Sequence, residues 1–255
     1  MRDNTVRQKL RAGQPSIGCQ MGLGSPNVAE LLAHAGYEWL IIETEHNGLD
    51  SAEIEHILMA MGGTDTIPIV RIPSSNPVYI QRALDIGALG VFVPMVKTAA
   101  EAAAIVSATR FPPHGTRSWG PLRASHYTVD DADYLARAND NMLVALILET
   151  KEAVENLEAI AAVPGVDALY IGPMDLCLSL GVDPLQMPHP ETDAVIERAL
   201  AVGREGGVAI GMGARTPEQL RQNIERGFTM VGYGPDYAML LNAARAGLDA
   251  FERPG

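Results

Sequence analysis

The sequence predicts an α/β fold, and more specifically a TIM-type (β/α)₈ barrel. The chain has 255 residues, the usual length of one such barrel. Short apolar or β-branched runs alternate eight times with longer segments of helical period, which is typical of parallel βα units. We find no linker or low-complexity tract, so we expect a single domain over residues 1–255.

Each predicted strand is a short apolar run, and each predicted helix fills the interval that follows it. The strands are expected over residues 17–23, 39–43, 67–72, 90–96, 142–149, 168–171, 208–212 and 229–233. The helices are expected over residues 27–35, 51–61, 77–86, 99–109, 151–163, 192–205, 217–226 and 236–251. Ser51 and Thr216 supply N-cap hydroxyls, and glycines such as Gly36 and Gly227 lie where a left-handed C-cap is expected.

One segment, residues 111–141, is too long for an ordinary connection in a compact barrel. It carries Trp119, Arg123 and His126 among other polar and aromatic residues. We expect this segment to serve as a substrate lid or a subunit contact.

Composition excludes several classes of partner. The formal net charge of −12 disfavours nucleic acid and anionic membranes, because both require a basic surface. The two cysteines, Cys19 and Cys177, lie in apolar segments, which favours a reducing compartment over a disulfide framework. The start of the chain lacks the apolar stretch of a secretory signal, and no apolar run approaches the roughly 20 residues of a membrane span. We therefore expect a cytoplasmic protein.

Polar side chains stand where four of the predicted strands end. These residues are Glu43, Glu45 and His46 after the second strand, Arg71 in the third, Glu149 in the fifth, and Asp175 after the sixth. In a (β/α)₈ barrel the carboxyl ends of the strands and the loops after them form the active site. We therefore expect all of these side chains to face one cavity.

The pair Glu149 and Asp175 predicts a metal site. The two residues are 26 positions apart, about one βα repeat, so they should follow adjacent strands spaced by about 4.8 Å. Mg²⁺ prefers carboxylate oxygens and keeps several waters, so two protein ligands suffice. Each acid alone is also explained as a helix N-cap, and Arg71 as the partner of Asp85 in a structural ion pair.

Six longer motifs follow one another along the chain. They are Tyr37-Glu38-Trp39-Leu40-Ile41-Ile42-Glu43-Thr44-Glu45-His46, Pro68-Ile69-Val70-Arg71, Val93-Pro94-Met95-Val96, Arg110-Phe111-Pro112-Pro113-His114-Gly115, Glu149-Thr150-Lys151-Glu152-Ala153 and Ile171-Gly172-Pro173-Met174-Asp175-Leu176. This succession, from about residue 18 to residue 240, resembles the HpcH/HpaI aldolase/citrate lyase family. The resemblance implies a barrel of the phosphoenolpyruvate/pyruvate-domain-like type.

The resemblance also implies an activity. A metal-dependent, class II pyruvate aldolase would reversibly cleave a 4-hydroxy-2-oxo acid to pyruvate, or a related 2-oxo acid, and an aldehyde through a metal-stabilised enolate. Glu149 and Asp175 would bind the cation, which is Mg²⁺, Mn²⁺ or Co²⁺.

The remaining roles are implied in the same way. Arg71 would hold the keto oxygen, and His46 would transfer protons together with an acidic neighbour, Glu43 or Glu45. Backbone N–H groups of the segment Gly172-Pro173-Met174-Asp175, near its last two residues, would receive the substrate carboxylate.

The family resemblance further implies a hexamer, a trimer of dimers in which the C-terminal helices, here about residues 236–251, are exchanged between subunits. Two positions depart from the family's usual pattern. Glu43 stands where the family usually has Asp, and Ile147 stands where it commonly has Gln. The second departure removes a polar group from the pocket.

The sequence also leaves another mechanism and other activities open. A Schiff-base mechanism needs a lysine, and the only lysines are Lys9, Lys97 and Lys151, none of them in a strand facing the barrel mouth. Oxaloacetate decarboxylation, cleavage of a coenzyme A ester and metabolite binding without catalysis are the alternatives on the same scaffold. The aldehyde specificity is expected to depend on residues 111–141 and on a neighbouring subunit.

Overall fold

The computed structural model describes residues 1–251, and in it eight parallel strands close into a barrel in sequence order. The strands are β1 (Ser16–Met21), β2 (Trp39–Glu43), β3 (Ile67–Arg71), β4 (Gly90–Val93), β5 (Leu143–Leu148), β6 (Ala168–Ile171), β7 (Ala209–Ala214) and β8 (Met230–Tyr233). β8 pairs with β1 and completes the ring. The predicted (β/α)₈ barrel is confirmed.

The helices surround the strands, and they include three that the sequence analysis did not predict. They are α1 (Thr5–Arg11), α2 (Pro26–His34), α3 (Ser51–Ala60), α4 (Pro77–Asp85), α5 (Ala99–Ala108), α6 (Asp131–Asn141), α7 (Lys151–Glu155), α8 (Leu157–Ala161), α9 (Pro173–Leu180), α10 (Pro190–Gly206), α11 (Pro217–Arg226) and α12 (Asp236–Asp249). The new ones are α1, α6 and α9. The predicted helix over 151–163 is divided at Asn156, whose side-chain amide donates to the carbonyls of Lys97 and Glu152.

The interior of the barrel is filled by aromatic rings. Facing glycines make room for them, since a Cβ on Gly18 would lie 1.9 Å from the Trp39 ring. Likewise a Cβ on Gly211 would lie 2.3 Å from the Tyr170 ring. Phe92 packs edge-on against Tyr170 at a centroid distance of 5.0 Å. The barrel is therefore a packed core rather than a pore.

The amino-terminal end of the barrel is closed by α1 through a buried ion cluster. Asp167, immediately before β6, is fully buried and accepts from Arg7 Nε and Arg11 Nε at 3.0 Å. It also accepts the backbone N–H of Val144 in β5 at 3.0 Å. Burial and the neighbouring guanidiniums of Arg7 and Arg11 lower the pKa of Arg110 to about 10. Three arginines thus surround one buried carboxylate.

The long segment 111–141 lies at this same end, which corrects one expectation. It joins the end of α5 to the start of β5, and helix-to-strand connections in such a barrel lie opposite the catalytic face. Trp119 packs against Phe111, and Arg123 donates to the carbonyl of Ile86, ahead of β4. The expectation of a lid over the chain's own site is therefore wrong, whereas a subunit contact stays a prediction.

The last helix, α12, is held to the barrel mainly at its first turn. The Asp236 carboxylate accepts the N–H groups of Gly22 and Leu23 in the loop after β1. Farther along, α12 exposes the large apolar side chains of Leu240 and Leu248. Within residues 1–251, none of the helices has the length and apolar character needed to cross a membrane.

Candidate active site

The polar residues predicted at the strand ends meet at the carboxyl end of the barrel. Glu43 and Arg71 are the last residues of β2 and β3 and are paired in register. Glu149 directly follows β5, and Asp175 lies in the first turn of α9, which follows β6. The charges of Glu45, Arg71 and Asp175 all act on Glu149, so these groups form one electrostatic cluster.

Glu43 is the most firmly held carboxylate of the cluster. It is 4% exposed and accepts four hydrogen bonds. Its Oε1 takes the backbone N–H groups of Glu45 (2.8 Å) and His46 (3.1 Å). Its Oε2 takes Gln20 Nε2 (2.6 Å) and Arg71 Nη1 (3.2 Å). This carboxylate therefore fixes the loop after β2 to the barrel.

Arg71 is surrounded by acids. Its side chain is 11% exposed, with Nη1 on Glu43, Nη2 on Glu45 and the same Nη2 4.0 Å from Glu149 Oε2. The expected alternative pairing with Asp85 is wrong, because Asp85 instead accepts from Arg117 at 2.7 Å. Arg71 Nε is buried and has no acceptor among residues 1–251, so it remains able to donate to a bound molecule.

Glu149 is a buried carboxylate with little to balance its charge. Its Oε1 accepts the backbone N–H of Met95 at 2.7 Å. Burial raises its pKa to about 7, against the opposing effects of the Met95 N–H and of Arg71. Gly172 packs against this side chain, because a Cβ there would lie 2.9 Å from Glu149 Oε2. A glycine at 172 is thus required for Glu149 to occupy its position.

Glu45 and His46 lie next to the cluster at the mouth. Glu45 Oε2 is 3.4 Å from His46 Nε2, and the same oxygen contacts Arg71 Nη2. The pKa of Glu45 is raised, chiefly by burial, although Arg71 opposes the shift. The His46 side chain is 65% exposed. The histidine can therefore contact both solvent and the glutamate.

Asp175 and the residues before it begin a helix that the sequence analysis missed. Gly172 is the N-cap of α9 and Pro173 its first residue, whereas no helix was predicted between residues 171 and 192. The N–H groups of Met174 and Asp175 lie in the first turn, where no helical carbonyl can accept from them. The Asp175 side chain is exposed. The arrangement combines free donors with a carboxylate on one helix start.

Neither acid of the predicted metal pair is a helix cap. Thr150 caps α7 through its side chain, and Gly172 occupies the N-cap of α9. Within residues 1–251 no group of three or more His, Cys, Asp or Glu side chains stands close enough to hold a metal. Two oxygen donors, one of them a buried carboxylate with a raised pKa, still fit a hard divalent cation that keeps several non-protein ligands.

The structure also shows where Ile147 and the three lysines lie. Ile147 is buried in β5, and its Cγ2 would lie 3.0 Å from a Cβ on Gly172, so it forms an apolar floor beside Glu149. Lys9 pairs with Glu38, Lys97 with Glu152, and Lys151 is exposed at the start of α7. All three lysines thus have partners or positions outside the cluster, which disfavours a Schiff base.

Sequence reasoning missed Gln20 and the backbone N–H of Met95 as members of the cluster. The available signal for Gln20 was a polar side chain in an apolar strand, on the same face as Gly18 and one strand away from Glu43. No signal marked Met95, because any residue other than proline supplies the same N–H group. Its φ of 57° is known only from the folded backbone.

Comparisons with known proteins agree with this geometry. The family model described as HpcH/HpaI aldolase/citrate lyase matches residues 17–243. The 4-hydroxy-2-oxo-heptane-1,7-dioate aldolase of Shigella sonnei (strain Ss046) is 40% identical over 246 residues, 96% of this chain and 93% of that protein. The 2-dehydro-3,6-dideoxy-6-sulfogluconate aldolase of Pseudomonas putida is 38% identical over 239 residues, 92% of both chains.

Solved structures agree as well. The crystal structure of an HpcH/HpaI aldolase/citrate lyase family protein from Burkholderia cenocepacia J2315 superposes with a TM-score of 0.92 at 38% identity. The superposition covers 97% of this chain and 98% of that one.

Proposed function

The chain belongs to the HpcH/HpaI aldolase/citrate lyase family and is a carbon–carbon lyase of the aldolase type; from this premise we propose the reaction and its residues. The enzyme reversibly cleaves a 4-hydroxy-2-oxo acid to pyruvate, or a related 2-oxo acid, and an aldehyde. The observation that carries the proposal is the approach of Arg71 Nη2 to within 4.0 Å of the buried Glu149 carboxylate at the catalytic end of the barrel.

Glu149 and Asp175 would hold a divalent cation, with Mg²⁺, Mn²⁺ and Co²⁺ as the candidates. When bound, the cation would stabilise the negative charge that develops on the keto oxygen during cleavage. The buried Glu149 carboxylate supports this assignment, because a raised pKa marks a site that favours added positive charge. Gly172 keeps the Glu149 side chain in place by leaving space beside it.

Arg71 binds the keto oxygen of the substrate. Its buried Nε group is the donor that stays free after the guanidinium has paired with Glu43 and Glu45. The positive charge of Arg71 also favours the anionic form of that oxygen over the neutral ketone, which lowers the barrier to cleavage.

The start of α9 binds the substrate carboxylate. The N–H groups of Met174 and Asp175 are unpaired within the helix, and a helix amino terminus favours an anion. Gly172 and Pro173 position this turn, since proline at the first helical position leaves no additional N–H to satisfy. The 2-oxo acid is thereby oriented with its keto group towards Arg71.

His46 moves the protons, with an acidic neighbour from the same loop. On cleavage it accepts the proton of the 4-hydroxyl group as the C3–C4 bond breaks, and the electron pair of that bond remains on the 2-oxo acid fragment. His46 then returns a proton to C3, directly or by exchange with solvent, and this completes pyruvate. General acid–base assistance of this kind contributes about 10²–10⁴ to a rate.

Exchange of pyruvate methyl hydrogens with deuterium from the solvent tests the proposal, because exchange requires the same C3 deprotonation as the aldol reaction. We expect exchange that EDTA abolishes and Mn²⁺ restores. Glu149→Gln should lose at least about 10³-fold of the rate, whereas Glu152→Gln, a matched change in the next helix, should retain it. Exchange that is indifferent to EDTA, or its absence in the wild type, would contradict a metal-dependent aldolase.

The assembly and location are proposed on separate grounds. The exposed apolar residues of α12, among them Leu240 and Leu248, support a hexamer built as a trimer of dimers with exchange of this helix. Light scattering should then give about six times the mass of the chain for the wild type, and a smaller species after Leu240→Asp. The net charge of −12 supports a cytoplasmic protein without nucleic-acid or membrane partners.

A further inference from the structure

We propose that the two glutamates after β2 have different tasks: Glu45 alone is the acidic partner of His46, while Glu43, braced by Gln20, positions Arg71 and the loop backbone. The inference deepens the proposed function and rests on it. It also adds Gln20, a residue without an assigned role, to the catalytic apparatus as a positioning residue.

Glu43 has no capacity left to serve a histidine. A carboxylate offers about four acceptor positions, and Glu43 uses them for two backbone N–H groups, Gln20 Nε2 and Arg71 Nη1. A proton on either oxygen would displace one of these donors inside a buried site. Its recorded contact with His46 is to the backbone N–H rather than to the ring.

Gln20 holds the Glu43 carboxylate in position with a hydrogen bond that does not depend on pH. Its amide nitrogen lies 2.6 Å from Glu43 Oε2, and an amide stays a donor at every pH at which the protein is folded. Gln20 is in β1, one strand before β2 and paired in register with Ile41, so its side chain reaches Glu43 from a rigid element. The brace leaves Glu43 Oε2 facing Arg71 Nη1 in one fixed geometry.

Glu45 has the geometry that Glu43 lacks. Its Oε2 lies 3.4 Å from His46 Nε2, and its side chain is 15% exposed. A proton on Nε2 of the neutral imidazole would face that carboxylate oxygen, which is buried and has no hydrogen-bond partner among residues 1–251, and Nδ1 would then accept the substrate proton. The charged groups around Glu45 are Arg71, His46, Glu43, Asp175 and Glu149. Its negative charge offsets the imidazolium that forms.

Replacement by glutamine separates the two roles. Glutamine at 45 retains an oxygen for Arg71 but cannot offset the charge on His46. Glutamine at 43 places an NH₂ group against two donors, whichever way the amide turns, and so displaces either Arg71 and Gln20 or the loop backbone. The first change removes charge from proton transfer, and the second disturbs the group that binds the keto oxygen.

Steady-state cleavage and pyruvate exchange distinguish the roles by the split between kcat and KM. Glu45→Gln should lower kcat by about 10²-fold with little change in KM, and Glu45→Asp should recover part of the loss. Glu43→Gln should raise KM about tenfold and also lower kcat, because Arg71 both binds the ketone and stabilises its anionic form, and Gln20→Leu should change KM in the same direction by less. Glu225→Gln, an exposed replacement on α11, is the matched control.

A double-mutant cycle tests whether Gln20 acts through Glu43. Gln20→Leu should add almost nothing to Glu43→Gln, whereas it should add fully to Glu45→Gln. Gln20→Met replaces the leucine variant if thermal unfolding shows that leucine impairs folding. Full additivity of Gln20→Leu with Glu43→Gln, or an unchanged KM with a large fall in kcat for Glu43→Gln, would overturn the inference.

Calorimetric binding of oxalate, a non-reacting anion with the same adjacent oxygens as a 2-oxo acid, gives a readout that does not depend on turnover. In the presence of Mn²⁺, Glu43→Gln and Gln20→Leu should weaken oxalate binding, and Glu45→Gln should change it less than about threefold. Equal weakening by all three variants would refute the division of roles. A wild-type protein that binds oxalate but catalyses no exchange would refute only the proposed function.

Discussion

The two ends of this barrel carry ion clusters of opposite composition. At the carboxyl end three carboxylates, Glu43, Glu45 and Glu149, lie around the guanidinium of Arg71, and the charge of a fourth, Asp175, acts on Glu149. At the amino end three guanidiniums, Arg7, Arg11 and Arg110, lie around the one fully buried carboxylate of Asp167. The same residue types thus serve two purposes in one fold.

The two clusters differ in whether their charged groups are satisfied by partners within the protein. Asp167 accepts from Arg7, Arg11 and the backbone of Val144, so the amino end is closed by the protein's own groups. At the other end, burial raises the pKa of Glu149 to about 7, and Arg71 keeps a donor without an acceptor among residues 1–251. The filled cluster stabilises the fold, whereas the unsatisfied groups at the carboxyl end are those that we propose to bind the metal and the substrate.

The largest effect is expected at the closed end. Asp167→Asn removes the carboxylate that Arg7 and Arg11 share. The Arg7 side chain, 8% exposed, then lies buried without this partner, which costs about 3–5 kcal/mol of the free energy of unfolding, whereas Arg11, 55% exposed, adds little. Urea denaturation measures the loss. Glu158→Gln, which breaks the exposed pair with Arg198, should cost less than about 1 kcal/mol. Equal costs for the two variants would remove the distinction between a closed and an open cluster.

At the carboxyl end of the barrel, removal of a charge should instead raise the free energy of unfolding. Glu149→Gln should stabilise the metal-free protein at pH 8 by up to about 3 kcal/mol, because it removes a buried charge whose pKa is raised from 4.5 to about 7. The stability that the neutral wild-type carboxyl contributes is fully present below pH 4.5 and is lost as the pH rises through about 7. Urea denaturation in EDTA at pH 5 and pH 8 compares the two proteins. A destabilised variant at pH 8 would contradict the assignment.

Gly172→Ala should weaken metal binding at the carboxyl end of the barrel. The new Cβ would stand 2.9 Å from Glu149 Oε2 and 3.0 Å from Ile147 Cγ2, so the carboxylate must shift. Since displacing a support of a ligand costs about 10- to 100-fold in metal affinity, we expect a loss of that size in Mn²⁺ titrations. Gly48→Ala is the matched control, because nothing lies within 4 Å of its Cβ. Unchanged affinity in both variants would exclude Glu149 as a ligand.

The smallest effect is the pH dependence of metal binding. A cation must displace the proton from Glu149 below about pH 7, so the apparent affinity for Mn²⁺ should fall about tenfold for each pH unit below that value and level off above it. Calorimetry between pH 5.5 and 8 follows the change. A constant affinity across this range would show that Glu149 is already ionised without the metal.

The sequence predicted the barrel because each of its strands is a short apolar run, and this pattern depends only on nearby residues. It missed α1, whose few apolar positions include Val6 and Leu10. It also missed α9, since Gly172-Pro173 was left outside the predicted helices although proline often begins a helix. It missed α6 in the segment 111–141, despite the first-turn acids Asp131 and Asp133.

The sequence predicted which residues form the site, but it did not predict which of their side chains are in contact. The residues at the strand ends meet because strand order fixes which carboxyl ends are neighbours. Which glutamate faces His46 depends on side-chain geometry, and the brace of Glu43 depends on Gln20 in another strand. The position of residues 111–141 was misjudged because only their length was weighed, although the predicted helix before them and the predicted strand after them already imply the amino end of the barrel.

The aromatic filling of the barrel restricts how this sequence can change. Position 18 has room only for hydrogen while an indole occupies position 39, and position 211 is limited in the same way by the phenol at 170. In a library of random variants, single replacements of Gly18 or Gly211 should be rare among folded clones. A paired change that shrinks the ring at 39 and enlarges Gly18 should survive, whereas at 211 the backbone carbonyl of Met230, 2.8 Å from the added Cβ, would still exclude a side chain. The barrel interior therefore changes by linked substitutions, because Gly18 can be replaced only when the side chain at position 39 becomes smaller.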